Sequence, residues 1–197
     1  MRAIRFALFQ YIIISLIFSI ILIGCDQNQE TPPLPEQTEV SGIIETDTIW
    51  TKEHSPYIVT DDIIVERNAT LTIQRRMQKE VEVRFDGFYA LIIKGTLLAD
   101  GMATDEQCCE NTEDSPQQLE SQEGNKILFT ANTPNPKPEA WRGIYFDNTN
   151  NDASVIRCAE ITYAETAIQS VSSSPQISDN VIEFNEKGIV LNSPNNA

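Results

Sequence analysis

The C-terminal part of the chain contains an internal repeat with a shift of 21 residues. When 154–174 is laid over 175–194, residues of similar type coincide: Ile156 with Ile177, Ala159 with Asn180, Ile161 with Ile182, Tyr163 with Phe184, Ala164 with Asn185, Ala167 with Gly188 and Ile168 with Ile189. A further shift of 24 carries Ile144 to Ile168. A period in the low twenties fits one turn of a parallel β-helix, in which three short strands are joined by bends.

Short runs rich in β-branched residues occur from residue 43 onward, and none shows sustained helical periodicity. The predicted strands are Tyr57–Val59, Ile63–Val65, Leu71–Ile73, Val81–Phe85, Leu91–Ile93, Ile127–Phe129, Gly143–Phe146, Ile161–Tyr163, Val181–Phe184 and Gly188–Leu191. Together with the repeat they predict an all-β right-handed parallel β-helix over residues 43–197. We expect inward aliphatic side chains to stack about 4.8 Å apart, with Asn180 and Asn185 hydrogen-bonding along the stack and Gly or Asn at bends with positive φ.

The N-terminus has the layout of a secretory signal. Arg2 and Arg5 precede an almost wholly apolar stretch, Phe6–Ile23, and a polar segment comes after Cys25 without basic residues. The length of the apolar stretch leaves an uncleaved membrane helix as the alternative. Leu22-Ile23-Gly24-Cys25 resembles the lipobox of bacterial lipoproteins, which implies cleavage of residues 1–24 and acylation of Cys25. Two or more acyl chains would then hold the protein stably on a membrane.

The segment after the leader has the composition of a spacer. Residues 25–42 hold several Pro, Gln and Glu and little that is apolar, so we expect a disordered acylated tether. The chain has a net charge of −15, and loss of the leader with its two arginines makes it −17. This excess of acidic over basic residues argues against nucleic acid as a partner. We expect a lipid-anchored location in the cell envelope, and the sequence does not resolve inner from outer membrane.

A second resemblance covers about residues 49–194. Tyr57–Thr60, Ala69–Ile73, Leu91–Leu98 and Trp141–Phe146 look like the opening coils of bacterial right-handed β-helix proteins, and the tail Ser174–Pro194 is similar to the repeat of the pectate-lyase-like superfamily. The chain departs from that pattern at 74–79 (QRRMQK), where we expect a bulged charged loop. Residues near Tyr57–Ile73 should form the first coils. Because no polar cap comes after the last repeat, we expect this sequence to be a C-terminally truncated fragment.

The stretch 101–125 carries seven acidic residues and no Lys or Arg, and we expect a solvated acidic loop there. The spacing of its carboxylates matches neither the EF-hand nor the nonapeptide Ca²⁺ motif. Cys108 and Cys109 lie in this loop and Cys158 in a coil, so one loop cysteine could form a disulfide with Cys158. His54 is the only histidine and no CxxC pair is present, which argues against zinc. We predict no metal and no cofactor.

The superfamily resemblance also implies polysaccharide cleavage as an activity to consider, and cleavage needs paired acids or a Ca²⁺ cluster with a base. Asp61-Asp62 is a candidate pair, and five charged residues could line one face: Arg142, Asp147, Arg157, Glu160 and Glu183. Nothing in the sequence selects among them, so no catalytic residue is predicted. Trp50 and Trp141 could stack on sugars, although Trp141 fits better as packing at a corner.

These observations predict a membrane-anchored exported lipoprotein whose β-helix acts as a non-enzymatic binding or structural surface. Its partners would be membrane lipid through Cys25 and a polysaccharide or another envelope protein. The alternative is a polysaccharide lyase or glycoside hydrolase of the pectate-lyase-like superfamily whose active coils are partly missing.

Overall fold

Every strand pairing in the described part of the chain is parallel, and strands account for its regular structure apart from one short 3-10 turn. The computed structural model describes residues 37–74, 80–101, 126–147 and 153–192. The first of two units, Met1–Pro33, lies outside these ranges, and the described strands all belong to the second, Leu34–Ala197. The predicted all-β class with parallel sheets is confirmed.

The described residues form fifteen strands, most of them three to seven residues long. They are β1 (Thr38–Ile44), β2 (Thr48–Thr51), β3 (Tyr57–Val65), β4 (Thr70–Gln74), β5 (Val81–Phe85), β6 (Ala90–Ile93), β7 (Thr96–Asp100), β8 (Ile127–Ala131), β9 (Gly143–Asp147), β10 (Val155–Arg157), β11 (Ala159–Thr162), β12 (Thr166–Val171), β13 (Gln176–Ser178), β14 (Val181–Glu183) and β15 (Lys187–Asn192). A 3-10 turn at Lys52–His54 comes directly after β2.

The strands form three rows, in which each strand pairs with its counterpart in the next repeat. Row A holds the first halves of β1 and β3, then β5, β8, β11 and β14. Row B holds the second halves of β1 and β3, then β6, β9, β12 and β15. Row C holds β2, β4, β7, β10 and β13. The long strand β3 joins rows A and B, since its two ends pair with different neighbours.

The register confirms the predicted repeat. Ile156 pairs with Ile177 in row C, Ile161 with Ile182 in row A, and Ile168 with both Ile144 and Ile189 in row B. The same aliphatic residues therefore meet in neighbouring parallel strands at the predicted shifts. Parallel sheets favour such residues because their inward face is buried.

The bends between rows depend on asparagine, as predicted, but the positive φ falls one residue earlier than expected. Asn180 accepts a hydrogen bond from the Ala159 amide at 2.9 Å and donates to the Ile156 carbonyl at 2.8 Å. Asn185 makes the equivalent pair with Ala164 and Ile161. The positive φ angles belong to the preceding residues, 56° at Asp179 and 55° at Phe184. This left-handed residue turns the chain so that the next amide side chain can reach the repeat below.

The core lies on the inward side of the three rows. Val59, Val83, Phe129 and Ile161 are fully buried in row A, and Ile144, Phe146 and Ile168 in row B. The rings of Phe85 and Trp141 stack 4.0 Å apart at 0–1 % exposure. Each fully buried side chain of this size contributes about 1.5–3 kcal/mol.

Two boundary predictions are wrong. The sequence predicts a tether up to residue 42, yet β1 begins at Thr38, because pairing with β3 imposes a strand on a segment whose composition alone would not form one. For the same reason the first strands in the described part of the chain are β1 and β2 rather than those of Tyr57–Ile73, which pair one step further in. The leader 1–24, Cys25, most of the loop predicted at 74–79 and nearly all of the acidic loop lie outside the described residues. Within the described ranges no helix has the length and apolarity needed to cross a bilayer.

Candidate binding groove on row A

The outward side of row A carries polar and charged residues in register. Glu82 and Glu160 flank Leu128 on neighbouring strands, and Arg84 lies beside Thr130. These positions alternate with the buried Val83 and Phe129, as expected where successive side chains of a strand point to opposite faces. The outer face of row A is therefore a ladder of side chains available to solvent.

A groove of about 460 Å³ lies along this ladder. Its lining is Arg84, Leu128, Thr130, Ala131, Asn132, Thr133, Pro134 and Pro136. Strand residues of β5 and β8 form the floor, and the segment that leaves β8 forms the wall. The volume falls within the range of ordinary ligand pockets, about 300–1,000 Å³.

The wall of the groove is held at its base and stiffened by proline. The Asn132 amide donates to the Phe85 carbonyl at 2.8 Å, and its side-chain nitrogen donates to Asp86 at 3.1 Å. Pro134 and Pro136 then restrict φ along the segment. A wall fixed in this way loses little conformational freedom when a ligand binds.

Charged side chains near the groove are held in ion pairs between or along strands. Arg84 pairs with Glu82 on its own strand, and the bond from its Nε is 2.7 Å long. Lys126 and Glu160 pair across neighbouring strands. Burial lowers the pKa of Lys126, but the Glu160 hydrogen bond and the charges of Glu160, Glu80 and Glu183 outweigh it and raise that pKa overall. Lys126 therefore stays charged and serves as a fixed cation rather than a proton donor.

Glu80, the residue before β5, has a carboxyl group in an unusual environment. Its Oε1 atom is buried and has no hydrogen-bond partner among the described residues. Burial raises the pKa of Glu80, and the neighbouring charges of Glu82 and Glu160 add to the rise while Lys126 opposes it. These surroundings favour the protonated form of the Glu80 carboxyl group.

Hydroxyl groups extend the series of polar side chains on row A into the next repeat. Thr162 donates from Oγ1 to the Thr130 hydroxyl at 2.9 Å, and its carbonyl accepts a 2.8 Å bond from the Trp141 indole. Thr162 is buried, which leaves Thr130 as the member of this pair that lines the groove. Together with Asn132 and Thr133, Thr130 gives the groove neutral polar groups suited to hydrogen bonding with hydroxyls or amides.

The five charged residues considered as one catalytic face do not lie together. Arg142 precedes β9 and Asp147 ends it in row B, Arg157 lies in row C, and Glu160 and Glu183 lie in row A. Hydrophobic periodicity alone could not assign a strand to a particular row, and the shared face that the sequence left open as a possibility is not formed.

Most of these residues are paired elsewhere. Arg142 donates to Asp62 at 3.1 Å, and its guanidinium lies 5.4 Å from the centre of the Tyr145 ring. Asp62 also accepts a bond from the Ala90 amide at 2.8 Å. Arg157 pairs with Asp100, which raises the pKa of Arg157. Asp62, the second residue of the Asp61-Asp62 pair, thus contributes to a structural contact between neighbouring strands of row B.

Neither tryptophan presents a free ring for a sugar. Trp141 is fully buried against Phe85, which confirms its predicted packing role. Trp50 is 5 % exposed and stacks on Tyr57 at 4.8 Å. Tyr57 in turn exchanges hydrogen bonds with the backbone of Thr51 through its hydroxyl.

Cys158 is disulfide-bonded and buried at a bend with a φ of 51°. The other three cysteines, Cys25, Cys108 and Cys109, lie outside the described residues. Gly101 packs against this bend, since a Cβ atom there would lie 2.3 Å from the Cys158 carbonyl oxygen. Among the residues that the structure describes, no group of three or more His, Cys, Asp or Glu is placed to hold a metal ion.

Sequence reasoning did not identify the groove residues. The one available signal was the run of alternating prolines after β8, 132–138 (NTPNPKP), which marks a stiff excursion beside a strand. Comparison with protein-family models, curated proteins and solved structures finds no match for this chain.

Proposed function

We propose that this chain is an exported lipoprotein, acylated at Cys25, whose right-handed parallel β-helix is a non-enzymatic binding surface. The groove on row A is its binding site. The single observation that carries the proposal is a groove of about 460 Å³ on a parallel sheet, with a wall held at Asn132 by one backbone and one side-chain hydrogen bond.

The β-helix part of the proposal rests on the register. All three rows pair in parallel, and a shift of 21 residues relates neighbouring strands in each of them at the C-terminal end. One repeat thus contributes one strand to each row, the arrangement of a three-sided coil. The disulfide at Cys158 supports export, because disulfides persist mainly outside the cytoplasm.

The chemistry of the groove favours a neutral or weakly polar polymer, such as an envelope polysaccharide. Thr130, Asn132 and Thr133 supply hydroxyl and amide groups, while Leu128 and the prolines supply apolar contact. The nearby charges of Arg84 and Lys126 are already neutralised by Glu82 and Glu160. Such a site recognises shape and hydroxyl groups more than charge.

Binding can be tested by affinity electrophoresis in gels that contain envelope polysaccharides. Leu128→Arg should fill the groove and abolish retardation of the protein. Leu98→Arg is the matched control, since Leu98 is an outward, partly buried leucine on row C. If the Leu98 variant also loses retardation, or if both variants keep it, the groove is not the binding site.

The anchor has its own test. Cys25→Ser should abolish incorporation of labelled palmitate into the protein in expressing cells, without changing its binding to polysaccharide. Incorporation of labelled palmitate into the Cys25→Ser variant would contradict acylation at this residue.

A second candidate function is polysaccharide cleavage, which Glu80 favours. Glu80 has a raised pKa and is influenced by the neighbouring carboxylates Glu82 and Glu160. Cleavage of a glycosidic bond requires an acid beside a second carboxylate. Uronate polymers incubated with the protein would then yield unsaturated or reducing-end products, and Glu80→Gln would abolish them. Product formation by the wild type would replace the non-enzymatic proposal.

A further inference from the structure

A tripeptide at the corner between rows B and C matches the acceptor pattern for N-linked glycans. Asn68-Ala69-Thr70 has the form Asn-x-Ser/Thr with a residue other than Pro in the middle. No other asparagine in the sequence has Ser or Thr two places after it without an intervening exception. The pattern is short, so its position in the fold decides whether it can be used: an acceptor must lie in a surface loop.

The fold places this tripeptide on a turn that projects from the corner. Residues 66–69 join β3 of row B to β4 of row C, whereas only residues 94–95 make the same connection between β6 and β7 in the next repeat. The Ala69 amide donates to the Glu66 carbonyl at 2.9 Å, which closes a β-turn with Arg67 and Asn68 at its tip. Both tip residues are exposed.

The two ends of the turn are fixed to neighbouring strands. The Glu66 amide donates to the Ile44 carbonyl at 3.0 Å, and the Ala69 carbonyl accepts from the Thr96 amide at 3.0 Å. Gly95 lies directly against the turn, since a Cβ atom on it would be 2.1 Å from the Glu66 carbonyl oxygen. The contacts with the sheet are therefore made at the ends of the turn, and its tip is left to solvent.

The side chains that an acceptor needs are on the outer side. Asn68 is exposed, unlike Asn180 and Asn185, whose side-chain amides are bonded to the backbone of the repeat below. Thr70 is the first residue of β4 and alternates with the buried Leu71, so its side chain points outward. The Thr70 amide donates to Asp47 at 2.8 Å, a contact that does not involve the hydroxyl.

We propose that Asn68 is a site of N-linked glycosylation, with an oligosaccharide carried on a polyprenyl diphosphate as the donor. In the transfer, Nδ2 of Asn68 forms a bond to C1 of the first sugar, the bond between C1 and the diphosphate oxygen breaks, and the polyprenyl diphosphate leaves. The side-chain amide gives one of its two protons to a basic group of the transferase. The inference rests on the export part of the proposed function, because such acceptors belong to secreted proteins.

The position suits a bulky, hydrophilic modification. None of the residues that line the groove belongs to this turn, so a glycan on Asn68 leaves the groove uncovered at its lining. Glu66, two residues before Asn68, adds a carboxylate that is 39 % exposed and pairs with Lys94 at 3.5 Å. A partly exposed pair of this kind contributes little stability, so the carboxylate is available to a basic group of the transferase.

The test incubates the purified intact chain, in native buffer, with a purified bacterial oligosaccharyl transferase and its polyprenyl-diphosphate-linked oligosaccharide. We expect a mass gain of one glycan per chain, mapped to Asn68 by peptide mass spectrometry and lost in Asn68→Gln. Thr70→Val should also lose it, because valine has the same shape without the hydroxyl, whereas Thr70→Ser should keep it. Asn135→Gln is the matched control: Asn135 is exposed but lacks the acceptor pattern, and this variant should be modified like the wild type.

No mass gain on the native chain, a glycan at another residue, or unchanged transfer to Thr70→Val would overturn the proposal. The purified assay does not depend on export, so its failure leaves the lipoprotein proposal standing. In cells that carry the transferase, labelled palmitate on Cys25 reports export of the same molecules. A palmitate-labelled chain without a glycan contradicts glycosylation alone, whereas a chain with neither contradicts the export on which both proposals rest.

Discussion

Gly143 lies where β9 comes closest to the repeat above it. A Cβ atom at this position would be 1.7 Å from the Thr166 carbonyl oxygen, and the φ angle of 125° is one that residues with side chains rarely adopt. The backbone itself is the obstacle, so no side-chain rearrangement can relieve the contact. This glycine, the first residue of β9, fixes the distance between β9 and β12 in row B.

Gly143→Ala should therefore lower the free energy of unfolding by more than about 2 kcal/mol, because both the contact and the φ angle oppose it. Urea denaturation followed by circular dichroism measures the change. Gly188→Ala is the control: a Cβ atom there meets nothing within 4 Å, and the expected change is within about 0.5 kcal/mol. Equal stability of the two variants would show that β9 and β12 are further apart than described.

Glu80 makes the stability of the fold depend on pH, and the sign of that dependence follows from its raised pKa. The folded state holds the proton more tightly than the unfolded state, so ionised Glu80 destabilises the fold at neutral pH. That penalty is present above the folded-state pKa and disappears as the pH falls toward the unfolded-state value.

Glu80→Gln should accordingly stabilise the protein at pH 7 by roughly 0.5–1 kcal/mol, because the amide carries no charge to desolvate, and the gain is small because the group keeps contact with solvent. The gain should vanish in acid, below the usual pKa of a glutamate. Thermal unfolding at several pH values measures it. A variant that is less stable than the wild type at pH 7 would mean that Glu80 has a favourable partner.

At the scale of strands and bends, the sequence predicted which segments pair in the C-terminal repeats, because the same residue types recur there at a fixed shift. It did not predict β1, whose strand is imposed by pairing with β3, or the left-handed residues Asp179 and Phe184. Their side chains carry no preference for positive φ as strong as that of glycine. The geometry arises instead from the need to aim Asn180 and Asn185 at the repeat below.

Asn185→Ala should cost about 1–3 kcal/mol, because it leaves the Ala164 amide and the Ile161 carbonyl without their partners. Hydrogen exchange at the Ala164 amide should accelerate along with the loss in global stability. Asn192→Ala, at the exposed end of β15, serves as the control and should change neither quantity. Unchanged hydrogen exchange at the Ala164 amide in the Asn185 variant would contradict the hydrogen bonds described for Asn185.

At the scale of the whole molecule, three rows of parallel strands provide a rigid frame, and the groove depends on a segment outside that repeat. The frame could be anticipated because it is periodic. The groove could not, because its wall is the non-repeating excursion after β8, and its floor combines Arg84 of β5 with Leu128 and Thr130 of β8. Contacts between strands so far apart in sequence become visible only once the rows are assembled.

The parallel register of successive repeats underlies both the rows and the groove, and nuclear Overhauser contacts in the isotope-labelled protein measure it directly. We predict contacts between the backbone protons of Gln169 and its two row B neighbours, Tyr145 and Val190, in the pattern of parallel strands. Ile161 should likewise contact Ile182. Close contacts between the Hα protons of paired residues, which mark antiparallel strands, would contradict the parallel register.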